Sequence, residues 1–217
     1  MSDAMDTQDA PRASGNVKVT RDDWMTVARD LLISDGMAEV KVLTISDRLG
    51  VSRSSFYWYF KSRKDLLDAL LTEWESSNTA AFVAHAEMPA ATITGAVCNL
   101  FRCFVDDAIF NHRLDFAVRE WARRDGHVRR VIDLGDTRRR RALTAMFERH
   151  GYAPYDADAR ARILYFMQVG YYALDLSESL DERLSRIEGY ILGFTGQQVQ
   201  PDELAALVAY AKEVQER

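Results

Sequence analysis

The side chains richest in hydrogen-bonding chemistry lie together between positions 52 and 61, in the run SRSSFYWYFK. Arg53 offers a planar fork of donors that matches the two acceptors on the edge of guanine, or a phosphate. Ser52, Ser54 and Ser55 carry hydroxyls that donate or accept at base edges and phosphates. Tyr57 and Tyr59 add phenolic hydroxyls, and Lys61 adds a compact positive charge. Lys41 and Thr44, a little earlier, extend the same polar set. This is the chemistry of gripping and reading a polyanion. The chain lacks the patterns of bond-making chemistry: it has no G-x-S-x-G, no H-E-x-x-H, no phosphate-binding glycine loop and no G-x-G-x-x-G. His85, His112, His127 and His150 lack paired ligand spacing, so no metal site and no cofactor are expected, and the chain does not read as an enzyme.

These side chains need a scaffold, and the flanking residues supply one. Val40, Leu43, Ile45 and Leu49 form an apolar set. Gly50 stands where a helix would end, because glycine takes the left-handed conformation of a C-terminal cap. Ser52 can cap the next helix, expected over residues 53–59. Phe56 and Phe60, four apart, share a face and should lock that helix onto its neighbours. Trp58 is open to two readings, packing under this head or touching the polyanion. Helix, glycine turn and capped second helix is the helix-turn-helix pattern. Before it, Trp24, Val27, Ala28, Leu31 and Leu32 recur at helical spacing behind Thr20. After it, Ser62 caps a long helix expected to run to about Ala84.

Charge is divided by region. The net charge is −5, yet residues 18–64 carry nine basic and six acidic side chains, net +3. Residues 65–217 are net −6 and residues 1–17 net −2. The field near a contact surface matters more for a polyanion than the total. Residues 1–17 are small, polar and aperiodic, and read as a disordered arm. No apolar run nears the roughly 18 residues of a membrane span, and no signal-peptide order is present, so a cytoplasmic protein without a membrane partner is expected. Cys98 and Cys103 read as reduced, buried thiols.

The segment Gly50-Val51-Ser52-Arg53-Ser54-Ser55-Phe56-Tyr57-Trp58-Tyr59-Phe60, followed by Lys61 and the helix from Ser62, resembles the DNA-binding head of the tetracycline-repressor (TetR) family of transcriptional regulators. That family shows a Gly-Val-Ser turn, a recognition helix ending Leu-Tyr-x-His-Phe, and a charged turn with a lysine. Phe56 replaces the usual Leu, Tyr59 the usual His, and Lys41 stands where Thr is frequent. The last change removes a hydroxyl cap and phosphate contact, although Lys41 can itself reach a phosphate. The resemblance implies that Tyr57 and Lys61 grip the DNA backbone. Arg53, Ser54, Ser55 and Tyr59 are then left to read sequence, with Arg53 equally suited to a phosphate.

Beyond Pro89 the pattern is helical throughout, with helices expected near 91–110, 114–123, 127–149, 157–176, 181–194 and 202–215. Arg119-Glu120-Trp121-Ala122 and Phe147-Glu148-Arg149-His150-Gly151-Tyr152 resemble the regulatory half of one branch of the same family. That implies a small-molecule effector and a homodimer formed through 157–176 and 181–194, as a two-part DNA operator requires. Phe101, Phe104, Phe116, Trp121, Met146, Phe147, Tyr165 and Phe166 are the candidate pocket wall, with Gln168 a polar group within it. Any of the aromatics can equally be core. Arg138 to Arg141 read as a solvated face. The expected fold is all-α: an arm (1–17), a three-helix DNA-binding head (18–65), and a larger helical ligand-binding and dimerisation domain (66–217). The expected role is a repressor released from double-stranded operator DNA by a small apolar or amphipathic ligand. The alternative is a DNA-binding dimer of this fold with no small-molecule effector, controlled by a protein partner.

Overall fold

The computed structural model describes residues 19–174, 176 and 178–217. The arm assigned to residues 1–17 lies outside them. The first helix, α1 (Arg21–Ser34), starts at a reciprocal cap. The Thr20 hydroxyl accepts from the Asp23 N–H at 3.3 Å, and the Asp23 carboxylate accepts from the Thr20 N–H at 2.7 Å. A short 3₁₀ turn (Met37–Glu39) leads to α2 (Val42–Leu49). Gly50, at φ 67°, closes α2 in the left-handed region, where a side chain would be strained. Then follow α3 (Arg53–Phe56) and α4 (Arg63–Trp74), the latter capped by the Ser62 hydroxyl on the Asp65 N–H.

The long helix expected from Ser62 is not uniform. After Trp74 the backbone widens into a π-helical turn, Glu75–Thr79, before continuing as α5 (Ala80–Glu87). Widened turns of this kind concentrate at functional places in helices. The body is completed by α6 (Ile93–Val105), α7 (His112–Ala122), α8 (Gly126–Arg149), α9 (Pro154–Ala173), α10 (Leu180–Thr195) and α11 (Pro201–Gln215). Among the described residues there is no strand.

Some boundaries differ from the sequence expectation for identifiable reasons. α6 stops at Val105 rather than 110, because the Asp106 carbonyl accepts from the N–H groups of Ile109 and Phe110 and folds the chain back. α9 begins at Pro154 rather than 157, because at a first helical position proline's missing N–H costs nothing. The α-helical part of the recognition element is short: after Phe56, residues 57–59 form a tight turn, with the Tyr59 and Phe60 N–H groups both donating to the Phe56 carbonyl. Leu43, counted with the apolar set of α2, is half exposed.

The apolar interior forms two clusters. One lies within the body and joins α5, α6, α8, α9, α10 and α11. The other is built around Trp24, Ile45, Phe56, Phe60 and Leu66 of the head, and it includes seven side chains from beyond α4. These are Leu114, Ala117, Val118, Trp121 and Ala122 of α7, and Val128 and Ile132 of α8. α7 and the start of α8 are therefore the floor on which the head rests.

Candidate nucleic-acid interface and its connection to the body

The recognition element is held from behind. Phe56 and Phe60 are buried, with their rings stacked 5.4 Å apart, and the Trp24 ring meets Phe56 edge-on at 5.3 Å. Burying each phenylalanine contributes about 1.5–3 kcal/mol, enough to fix a helix of one turn that has little stability of its own. What remains faces outward. Arg53, Ser54 and Lys61 are exposed, Tyr57 is 64% exposed and Trp58 is 79% exposed. Trp58 does not pack under the head, because the tight turn after Phe56 carries it away from the core.

Hydrogen bonding sorts the remaining candidates. Ser52 occupies the N-cap position of α3 but does not cap it; its hydroxyl pairs with that of Ser54 at 2.8 Å. The Ser55 hydroxyl donates to the Ser52 carbonyl at 2.6 Å and is half-buried. Tyr59 was expected to read sequence, but its hydroxyl donates to the Val19 carbonyl at 2.6 Å and its ring packs against the head core. Lys41 is the N-cap residue of α2 without a side-chain cap, and its ammonium pairs with Glu39 at 3.0 Å. Thr44 is half-buried on α2.

The basic residues divide the same way. Arg48 pairs with Asp35 and Lys64 with Asp68. Arg63 turns inward, donating to the carbonyls of Val40 at 2.6 Å and Met37 at 2.9 Å, and so fastens the entry to α2. Sequence alone counted all of these with the basic surface. Of Arg48, Arg53, Lys61, Arg63 and Lys64, only Arg53 and Lys61 have side chains with neither an ion pair nor a hydrogen bond among the described residues. The Lys61 N–H is held by Asp65 at 2.9 Å, leaving its ammonium at the start of α4.

Behind the head lies a polar cluster that the sequence reading did not anticipate. The indole N–H of Trp74, the last residue of α4, donates to Asp115 on α7 at 2.8 Å. Arg139 on α8 is 1% exposed; it donates to the same Asp115 oxygen at 2.9 Å and to the hydroxyl of Thr79, in the π turn, at 3.0 Å. Arg119 bridges Asp115 (2.9 Å) and Asp136 (2.8 Å), and the Tyr165 hydroxyl donates to Asp136 at 2.6 Å. Burial would push the Asp115 carboxyl up, but the charges of Arg139 and Arg119 outweigh it and hold the pKa down to about 2. The guanidinium of Arg139 also sits 5.1–5.6 Å from the rings of Trp74, Phe110 and Phe82. The four-arginine run is thus not one solvated face: Arg138 meets Glu75 at the surface, while Arg139, one residue on, turns into the interior. Gly135 makes room for the indole, since a Cβ there would fall 2.9 Å from the Trp74 ring. Next to this cluster, Asn78 of the π turn donates to the Asn111 carbonyl at 2.7 Å and accepts from the Asn111 N–H at 3.2 Å.

The candidate pocket residues are scattered. Phe101, Phe104 and Gln168 line one cavity of about 40 Å³ between α6, α9 and α10. Phe116 and Phe166 are exposed, because each falls on an outer helix face. Trp121 belongs to the head's cluster, and Met146 and Phe147 are buried in the body's interior. Tyr165 is buried with its hydroxyl already committed to Asp136. Leu184 and Ile187 complete the apolar wall, and a second cavity of about 150 Å³ adjoins it, sharing Phe104, Val105, Tyr171 and Arg183 and including His112.

Residues 25–70, which hold this recognition element and its packing, match the family model of bacterial regulatory proteins, tetR family. The likeness to that family lies in the head. Over 53 residues it is 38% identical to the tetracycline repressor protein class C of Escherichia coli, a match spanning 24% of each chain. Beyond the head the likeness is one of fold. Salmonella enterica GusR superposes with a TM-score of 0.57 at 16% identity, covering 91% of this chain and 95% of that one. Mycobacterium smegmatis AmtR gives 0.57 at 19% identity, covering 94% and 98%. Among the described residues no helix is long and apolar enough to cross a membrane.

Proposed function

We propose that this protein is a sequence-specific DNA-binding transcriptional regulator, acting as a homodimer and most simply as a repressor. The observation that carries the reading is the pairing of a tetR-family head with a recognition turn fixed by Phe56 and Phe60, whose outer face presents Arg53, Ser54, Tyr57, Trp58 and Lys61. Arg53 reads a base edge or grips a phosphate, and Tyr57 and Lys61 grip the backbone. Residues 18–65 act as the DNA-binding domain and 66–217 as the effector and dimerisation domain. Two heads must lie about one helical turn of DNA apart, roughly 34–36 Å, to read both half-sites.

The proposed partner surface is formed by α9 and α10. Tyr155, Ile163, Phe166 and Leu174 are exposed along one side of α9, and Leu192 is exposed on α10. Gly189 and Gly193 leave open space beside them. An effector in the body would act through α7. His112 lines the second cavity, its neighbour Asn111 clasps the π turn, and Asp115, one turn on, holds Trp74. A guest that shifts the first turn of α7 would thereby tilt α4 and change the separation of the heads. It releases DNA only if it binds the two states unequally.

The test is a titration of the full-length protein against fragments of its own genome, followed by fluorescence anisotropy on the selected site. Preference for a twofold-symmetric site over random duplex is expected. Equal affinity for all sequences at matched salt would sink the reading. A second reading, control by a protein partner without a small molecule, is favoured by the small size of the apolar cavity, which falls well below the roughly 300–1,000 Å³ of ordinary ligand pockets.

A further inference from the structure

The two adjoining cavities of the body differ in character, and the difference names a class of guest. The smaller one is walled by Phe101, Met167, Leu184 and Ile187. Gln168 intrudes into it; this side chain is 6% exposed, and its amide makes no hydrogen bond within the described residues. Its amide lines a mostly apolar wall, so the position suits a guest that carries a polar atom. The larger cavity is polar, with Asp107, His112 and Arg183 on its wall.

Charge at the junction is unbalanced. Glu178, the carboxylate beside the apolar cavity, is already satisfied: it accepts from the Tyr171 hydroxyl at 2.7 Å and from Arg186 at 2.7 Å. Asp107 is bound to His112 at 2.8 Å. That hydrogen bond, opposed by burial, holds the Asp107 carboxyl below its usual range, with the charges of His112, Arg113 and Arg183 adding to the effect. Arg183 is the cation common to both cavities. Among the described residues it makes no ion pair or side-chain hydrogen bond, and its guanidinium lies 5.8 Å from the centre of the Tyr171 ring.

We propose that the body binds an amphipathic carboxylic acid, with its apolar part among Phe101, Met167, Leu184 and Ile187 and its carboxylate on the guanidinium of Arg183. Gln168 offers its amide to the same guest. A guanidinium fork matches a carboxylate in two parallel hydrogen bonds, whereas an alcohol fills one and an ammonium is repelled. The apolar cavity lies well below the size of an ordinary ligand pocket. The guest therefore enters by moving the first turns of α10 away from α6. This assignment rests on the reading of the body as an effector domain.

Binding is measured by calorimetry on the full-length protein without DNA. The probes are octanoate, decanoate and 4-phenylbutanoate below their aggregation limits, each beside its alcohol and its amine. At least one carboxylate should bind about tenfold or more tightly than its uncharged and cationic counterparts, the size of one charge-assisted hydrogen bond. Arg183→Gln should abolish that preference, with its thermal midpoint checked by circular dichroism. Arg183→Lys should retain part of it and so separates charge from loss of fold. Gln168→Leu should weaken the carboxylate while leaving the order of head groups intact. Equal binding of all three head groups, an unchanged preference in Arg183→Gln, or no binding by any probe overturns the proposal. Operator release is scored separately. A carboxylate that binds and leaves the DNA complex intact refutes effector control and leaves this site standing.

Discussion

Arg53 and Lys61 are both exposed on the recognition face and unpaired among the described residues, yet their roles separate experimentally. If Arg53 reads a base, Arg53→Ala costs about 1–3 kcal/mol on the preferred site and relaxes specificity at one position. Lys61→Ala should weaken binding to every sequence alike and lower the slope of log affinity against log salt by about one. Anisotropy titrations on matched and mismatched duplexes at several salt concentrations distinguish the two. Asp115 is a residue of the opposite kind, buried and structural. Its pKa falls on folding from 3.8 to about 2. The stability it supplies is therefore complete above the unfolded value and is lost as pH falls through that interval. Asp115→Asn leaves a buried arginine half-answered and should cost about 3–5 kcal/mol near neutral pH. The gap between the urea midpoints of the two proteins should narrow as pH drops from 4 towards 2. A gap that does not change with pH would remove Asp115 from this role.

The connection between α4 and the body explains which elements the sequence disclosed and which it hid. The head was legible because its signals are local: a capping threonine before α1, glycine after α2, and phenylalanines four apart. The residues with misread surroundings make long-range contacts. Tyr59 reaches the Val19 carbonyl 40 positions away, and Arg139 reaches Thr79 across 60. Neither periodicity nor composition marks such partners. The π turn has no sequence signature either, and its buried Asn78 and Thr79 would be read as surface residues. Their partners are fixed by packing, which places Trp74 against Gly135. Gly135→Ala tests that fit. Alanine is favoured in a helix over glycine by up to about 1 kcal/mol. Its Cβ, however, would meet an indole ring that cannot slide, because Asp115 holds its N–H. Overpacking at about 1–3 kcal/mol should win, giving a net loss in urea unfolding. A more stable variant would show that the ring yields.

At the scale of the whole molecule the acidic body and the basic head divide the labour of touching other molecules. The body's net charge of −6 discourages contact with a duplex elsewhere than at the head. Its apolar exposure is concentrated instead on α9, where Phe166 is 55% exposed in the isolated chain. A dimer through this face should be broken by Phe166→Glu, which places a charge where a desolvated ring belongs. Sedimentation should then show a monomer, and affinity for a twofold-symmetric site should drop to that of a single head. A dimer that survives the change would move the interface elsewhere.

The floor beneath the head carries a consequence for transplantation. Seven apolar side chains of α7 and α8 complete the interior in which Trp24, Phe56 and Phe60 sit. A graft cut after Asp65 would carry every residue proposed to meet DNA and none of that floor. Placed on an unrelated body, such a head would keep its reading residues and lose the support that aims them. A working exchange of specificity must either replace only the outward side chains of the recognition element or carry α7 and the first turns of α8 along with the head.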